Sequence, residues 1–388
     1  MMATKRLLDV CDFQGGTQPP KDEWINDPRE GYVRMLQIRD YSQGDAKYIQ
    51  YVKDTKKLHK CTKDDIMLSR YGYIGQAFIG LEGAYNVALV KVIKKAEIHT
   101  PYLLCYFQSY YFQHFLLSNV GARATIPGFN KDELEKALIR IPEMCKQIEI
   151  ASKITKVDEL IGFHKQQLNV LDTLIKSRFI EMFGTLSSNE QNFEVLTIES
   201  LCSLIKDGTH QTPTYTEDTI NGFKFLSSKD VMSTKINWGD IKYIPSDLHE
   251  KLYAVVKPIK NDILMSKNGV NYGVAAVNDT DEVFDIYVSL ALLRPKTDII
   301  NPVYFRSAIN SPDTKRQFDS SIKGIGVPNL HLGEIKKTKI LVPPVDKQNE
   351  YVSFVEQVDK SKFYIVQMQI LLRLLTRAIQ QKTTEVLL

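Results

Sequence analysis

The chain has 388 residues, 43% of them hydrophobic and 25% charged, with a formal net charge of only +4. That length suffices for two or three domains with separate cores, and so small a charge suits a nucleic-acid partner only if it is gathered on one face. Five scattered cysteines without a C-x-x-C pair argue against a disulfide framework or a zinc site and point to a reducing cytoplasm. The N-terminal residues lead into no long apolar stretch, so neither a signal peptide nor a membrane span is expected.

Residues 1–140 read as mixed α/β. Gly15-Gly16-Thr17 and Pro19-Pro20 mark a loop, residues 32–38 a strand, and residues 65–69 a second short strand ended by a turn at Gly72. Residues 73–80 read as a hairpin turn and residues 87–93 as a buried strand. Residues 101–117 read as one helix with proline in its first turn, and residues 131–137 as a local helical turn. From Lys146 the pattern becomes heptad. One row is Ile150, Val157, His164, Leu171 and Arg178, the other Ile154, Ile161, Leu168, Ile175 and Met182. That spacing is a coiled-coil seam, and Gly184 is its expected C-cap.

The chain then repeats itself. Asp65-Ile66-Met67-Leu68-Ser69-Arg70-Tyr71-Gly72 returns 197 residues later as Asp262-Ile263-Leu264-Met265-Ser266-Lys267-Asn268-Gly269. Ile126-Pro127, Ile141-Pro142 and Lys146-Gln147 return 201 residues later as Val327-Pro328, Val342-Pro343 and Lys347-Gln348. Pro302 again opens a helix, and a second long helix starts near Asp346. Its expected seam rows are Tyr351, Val358, Ile365, Leu372, Ile379 and Phe354, Ser361, Met368, Leu375. The expected fold class is α+β: two tandem mixed α/β domains (1–141 and 185–342), each followed by a long helix (142–184 and 343–388). The two helices are expected to pair as an antiparallel coiled coil about a pseudo-twofold axis. A 37-residue stretch of such a helix is roughly 55 Å long at 1.5 Å per residue, so two heads could touch DNA sites one to two turns apart.

The Pro-Pro-Val-Asp-Lys-Gln junction at 343–348, the Gly-Gly-Thr loop, the Asp-Ile-Leu-Met-Ser strand and Gly326-Val327-Pro328-Asn329-Leu330 resemble the specificity subunits (HsdS) of type I restriction–modification systems. Lys347 stands where that family's junction usually has Glu, and the first copy, 141–147, departs further. The resemblance covers nearly the whole chain. It implies that each domain is a target recognition domain for one half of an asymmetric, bipartite double-stranded DNA site. It implies that the helices set the spacing and dock two methyltransferase (HsdM) subunits, with restriction (HsdR) subunits in the full complex. It implies a cytoplasmic, non-catalytic subunit with no cofactor of its own.

The motifs agree with that division of labour. The sequence has no methyltransferase Asn/Asp-Pro-Pro-Tyr/Phe motif, no dinucleotide-binding glycine pattern after a strand and no Walker A loop. Its histidines lack metal-ligand spacing. Arg70-Tyr71 and Lys267-Asn268 place a cation and a different neighbour after the same strand, and Arg and Asn are side chains that read guanine and adenine edges. The other reading makes Arg70 and Lys267 turn residues, solvated or paired with a carboxylate. Gly15, Gly16, Thr17 and Gly208, Thr209, His210 bring either phosphate-binding amides and hydroxyls or a turn needing positive φ. Arg123 and Lys323 are candidate backbone grips or simply exposed. Two rival functions stand beside this one: a coiled-coil scaffold for protein partners, and a methyltransferase or nuclease complete in one chain.

Overall fold

A computed structural model describes residues 3–42, 48–120, 128–231, 234–322 and 328–384, with side chains to residue 381. It divides into two compact units, residues 1–165 with 365–388, and residues 166–364, so both boundaries fall inside the long helices.

In the first unit, β1 (Ala3–Arg6) pairs antiparallel with β10 (Leu138–Ile141), closing the module with its own first and last strands. The turn α1 (Leu7–Val10) leads into β2 (Cys11–Gly15). A four-stranded sheet follows in the order β2, β9 (Leu89–Lys94), β6 (Met67–Ser69), β7 (Ala77–Phe78), all antiparallel. A second sheet runs β4 (Tyr51–Lys53), β3 (Tyr32–Leu36), β8 (Gly83–Tyr85), β5 (Lys60–Cys61), with β3 and β8 parallel. The short helix α2 (Ile38–Ser42) takes over the end of the expected strand at 32–38. Leu68 points into the main core with Phe107 and Phe112, and Met67 into a second cluster with Leu36 and Tyr85. Alternation between two cores explains why this strand reads as an unbroken apolar run.

The helix expected over 101–117 is two: α3 (Thr100–Phe107) and α4 (Tyr110–Asn119). Ser109 breaks it, because its hydroxyl accepts the Phe112 amide at 3.3 Å and caps a new helix. The break sets Phe107 and Phe112 edge-on at 4.9 Å, inside the core. The turn α5 (Lys131–Leu134) precedes β10, and α6 (Met144–Phe183) runs for 40 residues. Gly184 follows with φ +70°, its amide on the Ile180 carbonyl, as a C-cap requires.

The second unit repeats this order. β11 (Glu194–Thr197) pairs with β19 (Lys339–Val342), and α7 (Ile198–Leu201) leads into β12 (Cys202–Asp207). One sheet runs β12, β18 (Leu290–Pro295), β15 (Ile263–Ser266), β16 (Ala275–Val277). The other runs β14 (Lys242–Ile244), β13 (Phe223–Leu226), β17 (Phe284–Ile286), again with one parallel pair, β13 with β17. Helix α8 (Ser246–Tyr253) packs on β17. Helices α9 (Pro302–Ile309) and α10 (Pro312–Ser321) break at Ser311, as α3 and α4 break at Ser109. Helix α11 (Leu332–Lys337) precedes β19, and α12 (Val345–Thr384) is again 40 residues long.

Within the second unit the long helices run antiparallel, because Asp172 meets Lys362 at 2.5 Å and Arg178 meets Glu350 at 3.6 Å. There Phe179 and Phe183 of α6 pack their rings edge-on against Tyr351 of α12, each at 5.5 Å. Within the first unit Ile379, near the end of α12, joins the core that holds Ile150 and Ile154 at the start of α6.

Candidate nucleic-acid interface

The hairpin turns after β6 and β15 have one frame and two tips. Gly72 and Gly269 hold φ +74° and +82°, a conformation that side chains resist. Each turn closes by returning a glycine amide to the strand's last serine carbonyl: Gly75 to Ser69, and Gly273 to Ser266, both at 2.7 Å. Those two glycines back onto the following helices, where an added Cβ would stand 2.5 Å from Leu116 and 2.7 Å from Phe318. The tips are exposed and unlike: Tyr73 in the first turn, Val270 in the second.

The two cations on this frame are anchors. Arg70 donates from Nε to the Phe129 carbonyl at 3.1 Å and from Nη2 to Asn130 Oδ1, with its guanidinium 5.3 Å from the Tyr71 ring centre. Tyr71 bridges Gly128, and Asn268 bridges Asn329 in the same way. Lys267 is buried at 5% exposure, with Nζ on Asp207 Oδ2 at 2.8 Å. The structure corrects the base-reading expectation for Lys267: its charge ties β15 to β12 and faces no solvent. The Asp that opens the repeated motif is an anchor too. Asp65 holds Lys91 at 2.8 Å, and Asp262, itself buried, takes both Nε and Nη2 of Arg294 at 2.8 and 2.9 Å.

The Gly-Thr loops are likewise internal. The amides of Gly16 and Thr17 donate to Leu89 and Tyr85, and that of Thr209 to Ile286, so these donors are not free for a phosphate. Neither Gly16 nor Gly208 has positive φ. A Cβ at Gly16 would run into the carbonyls of Tyr85 and Asn86, and one at Gly208 into that of Ile286. Close backbone approach, not a left-handed turn, requires these glycines. The Gly15 carbonyl lies 2.6 Å from His59 Nδ1, and the side chain of His210 is 75% exposed beside Asp207. Arg123 and Lys323 lie outside the described residues.

The repeated Lys-Gln pair explains the junctions. Gln147 and Gln348 are buried at 2% and 0%. Gln147 accepts the His99 amide at 3.0 Å and donates to the Pro142 carbonyl at 2.8 Å. Gln348 accepts the Asn301 amide at 2.8 Å and donates to the Pro343 and Ile299 carbonyls. One amide thus pins the start of each spacer helix to the start of α3 or α9.

Along α6 the expected seam turns inward: Ile150, Ile154 and Val157 are buried, and Ile161, Leu168, Leu171 and Ile175 are half-buried. On α12, Val358 is buried and Ile365, Leu372 and Ile379 are half-buried. The other row of α12 is corrected by one residue. Met368 and Leu375 are exposed, while Val355, Gln369 and Thr376 face inward, and Lys362 does so while holding Asp172. The inward row keeps the 201-residue offset from α6, even though it puts polar groups in the seam.

Among the described residues no three His, Cys, Asp or Glu side chains gather as a metal site, and no helix is long and apolar enough to cross a membrane. The type I restriction modification DNA specificity domain matches residues 1–173 and again 190–375. The chain is 23% identical over 371 residues to the specificity subunit of the type I restriction enzyme MjaVIII of Methanocaldococcus jannaschii, covering 91% of this chain and 85% of that one. It is 22% identical over 376 residues to the EcoBI specificity subunit of Escherichia coli, covering 87% and 75%. Among solved structures, the S subunit of a type I system from M. genitalium superposes with a TM-score of 0.51 at 13% identity, covering 99% and 96%. A chain from a type I R-M system studied for complex assembly and conformational transition gives 0.61 at 16%, covering 98% and 97%. The chain belongs to the type I restriction modification DNA specificity family, as a specificity subunit with two tandem recognition domains. Its role is DNA sequence specificity.

Proposed function

We propose that each module reads one half of a split DNA target, that α6 and α12 hold the unread gap constant, and that the chain itself performs no chemistry. The observation that carries this reading is a duplicated turn frame with unlike exposed tips, Tyr73 and Val270. Divergence on a fixed frame is what two readers of different half-sites need. Exposed apolar side chains on the long helices support docking of methyltransferase subunits, two per chain, with restriction subunits joining them in the cytoplasm. They are Phe163, Leu371 and Leu374 in the first unit, and Val170, Phe363 and Tyr364 in the second.

The test is methylation mapping in cells that express the partner methyltransferase, with and without this chain. A split motif with a fixed gap, methylated only when the chain is present, is the expected result. One heptad inserted into each long helix should lengthen the gap and leave the two half-sites unchanged. Altered half-site bases at a constant gap would overturn the spacer role.

A further inference from the structure

The second unit contains a cavity of about 220 Å³ where α9 and α10 meet the adjoining segments of α6 and α12. Ile175 and Phe179 form one wall, Arg306 and Ser307 another, and Tyr351 and Asp359 a third. Arg306 is only 7% exposed, and its Nε is buried without an acceptor. A guanidinium held in that way costs free energy unless an acceptor reaches it. The acids nearby are shared with lysines, and Asp359 acts on Arg306 by charge without reaching its Nε. Asp359 lies 3.5 Å from Lys362 and 3.6 Å from Lys235, and Asp172 lies 2.5 Å from Lys362.

The matched place in the first unit is nearly closed. Arg306 and Tyr351 stand 201 residues after Cys105 and Ile150. The void there, between Tyr102, Cys105, Tyr106 and Ile150, is about 10 Å³, room for one water at most. The duplication supplies a closed form of the site, edged by Arg140, whose Nε also lacks an acceptor; the second copy has opened it and placed a more deeply buried cation, Arg306, where the first has Cys105.

We infer that this cavity binds a small organic oxyanion with an apolar body. The Arg306 fork takes a carboxylate or phosphate group in bidentate fashion, and Phe179 and Ile175 pack against the remainder. A cavity of about 150 Å³ holds benzene, so the space here suits an aromatic ring with one charged substituent. Bound between the two spacer helices and α9, such a ligand stiffens the second recognition module, which makes the site a means of tuning recognition by a metabolite.

The test uses the full chain with benzoate as probe and benzyl alcohol as its uncharged match, read by calorimetric titration and thermal melting. Benzoate should raise the Tm saturably and bind at least about tenfold more tightly than benzyl alcohol, the range of a hydrogen bond to a charged group. Arg306→Met should raise the Tm of the unliganded chain, because it removes a buried charge whose desolvation outweighs its attraction to Asp359, and should weaken benzoate about tenfold or more. Ser307→Met, which fills the cavity and leaves Arg306 in place, should abolish the benzoate shift and covers the case in which the first variant misfolds. Equal binding of the two probes, no response to millimolar benzoate, or a lower Tm for folded Arg306→Met would each overturn the proposal.

Discussion

The turns after β6 and β15 begin from the same eight-residue motif and end with different wiring. In the first, Arg70 reaches forward to the Phe129 carbonyl and the Asn130 side chain and stays half-buried. In the second, Lys267 reaches back to Asp207 and is sealed from water. The backbone returns are the same, at Gly75 to Ser69 and Gly273 to Ser266. The comparison teaches that duplication has preserved the frame through backbone hydrogen bonds, while each copy has found its own partners for the cation behind the turn, neutral acceptors in the first and a carboxylate in the second. At the exposed tips, Tyr73 and Val270, the two turns differ.

The comparison breaks first at the glycines. Gly16→Ala and Gly208→Ala should each cost about 3 kcal/mol or more, since backbone carbonyls block the added methyl. Denaturant melts of the full chain would measure it, and a harmless substitution in one module would end the claim that the two loops are equivalent. Next come the junction glutamines. Gln147→Ala or Gln348→Ala should cost about 2–3 kcal/mol by leaving buried amides and carbonyls unpaired, with Gln348 the larger because it makes three bonds.

Removing the cations should separate the modules. Lys267→Met leaves Asp207 with only exposed His210 beside it and should cost about 2 kcal/mol, below the value for a fully buried pair because Asp207 is 24% exposed. Arg70→Met should cost about 1.5 kcal/mol, the low end for hydrogen bonds made by a charged group, because Arg70 is only half-buried. A double-mutant cycle with Asp207→Asn would show coupling for Lys267 and none for Arg70. The smallest effects belong to the outer row of α12. Met368→Gln and Leu375→Gln should change stability by no more than about 0.5 kcal/mol, against about 1–2 kcal/mol for Val355→Ala. A large loss at Met368 in the isolated chain would return that residue to the seam.

The tandem modules, the two long helices, the Gly184 cap and the Pro-Gln junctions were legible in the sequence because they rest on local pattern and on repetition at constant offset. The break at Ser109 was not, since an aromatic-rich run hides a capping serine; Ser311-Pro312 in the second copy carries the clearer signal. The inward row of α12 is hidden for a related reason. Hydrophobicity selects Met368 and Leu375, whereas the register inherited from α6 selects Gln369 and Thr376. Among the candidate contacts, the burial of Lys267 depends on Asp207, 60 residues earlier in the chain, and no local pattern encodes it. Arg306 is not legible locally, because a lone arginine in an amphipathic helix reads as solvated. Comparison with Cys105 at the matched position is the signal that would have found it.

Each module is stitched shut by its own end strands, β1 on β10 and β11 on β19, and leads into a helix through the same proline and the same buried glutamine. Its entrance and exit therefore lie side by side, at a seam that both copies share. In hereditary terms that makes a module a cassette: crossing over between the two junctions exchanges one reader for another and leaves the spacer that follows it undisturbed.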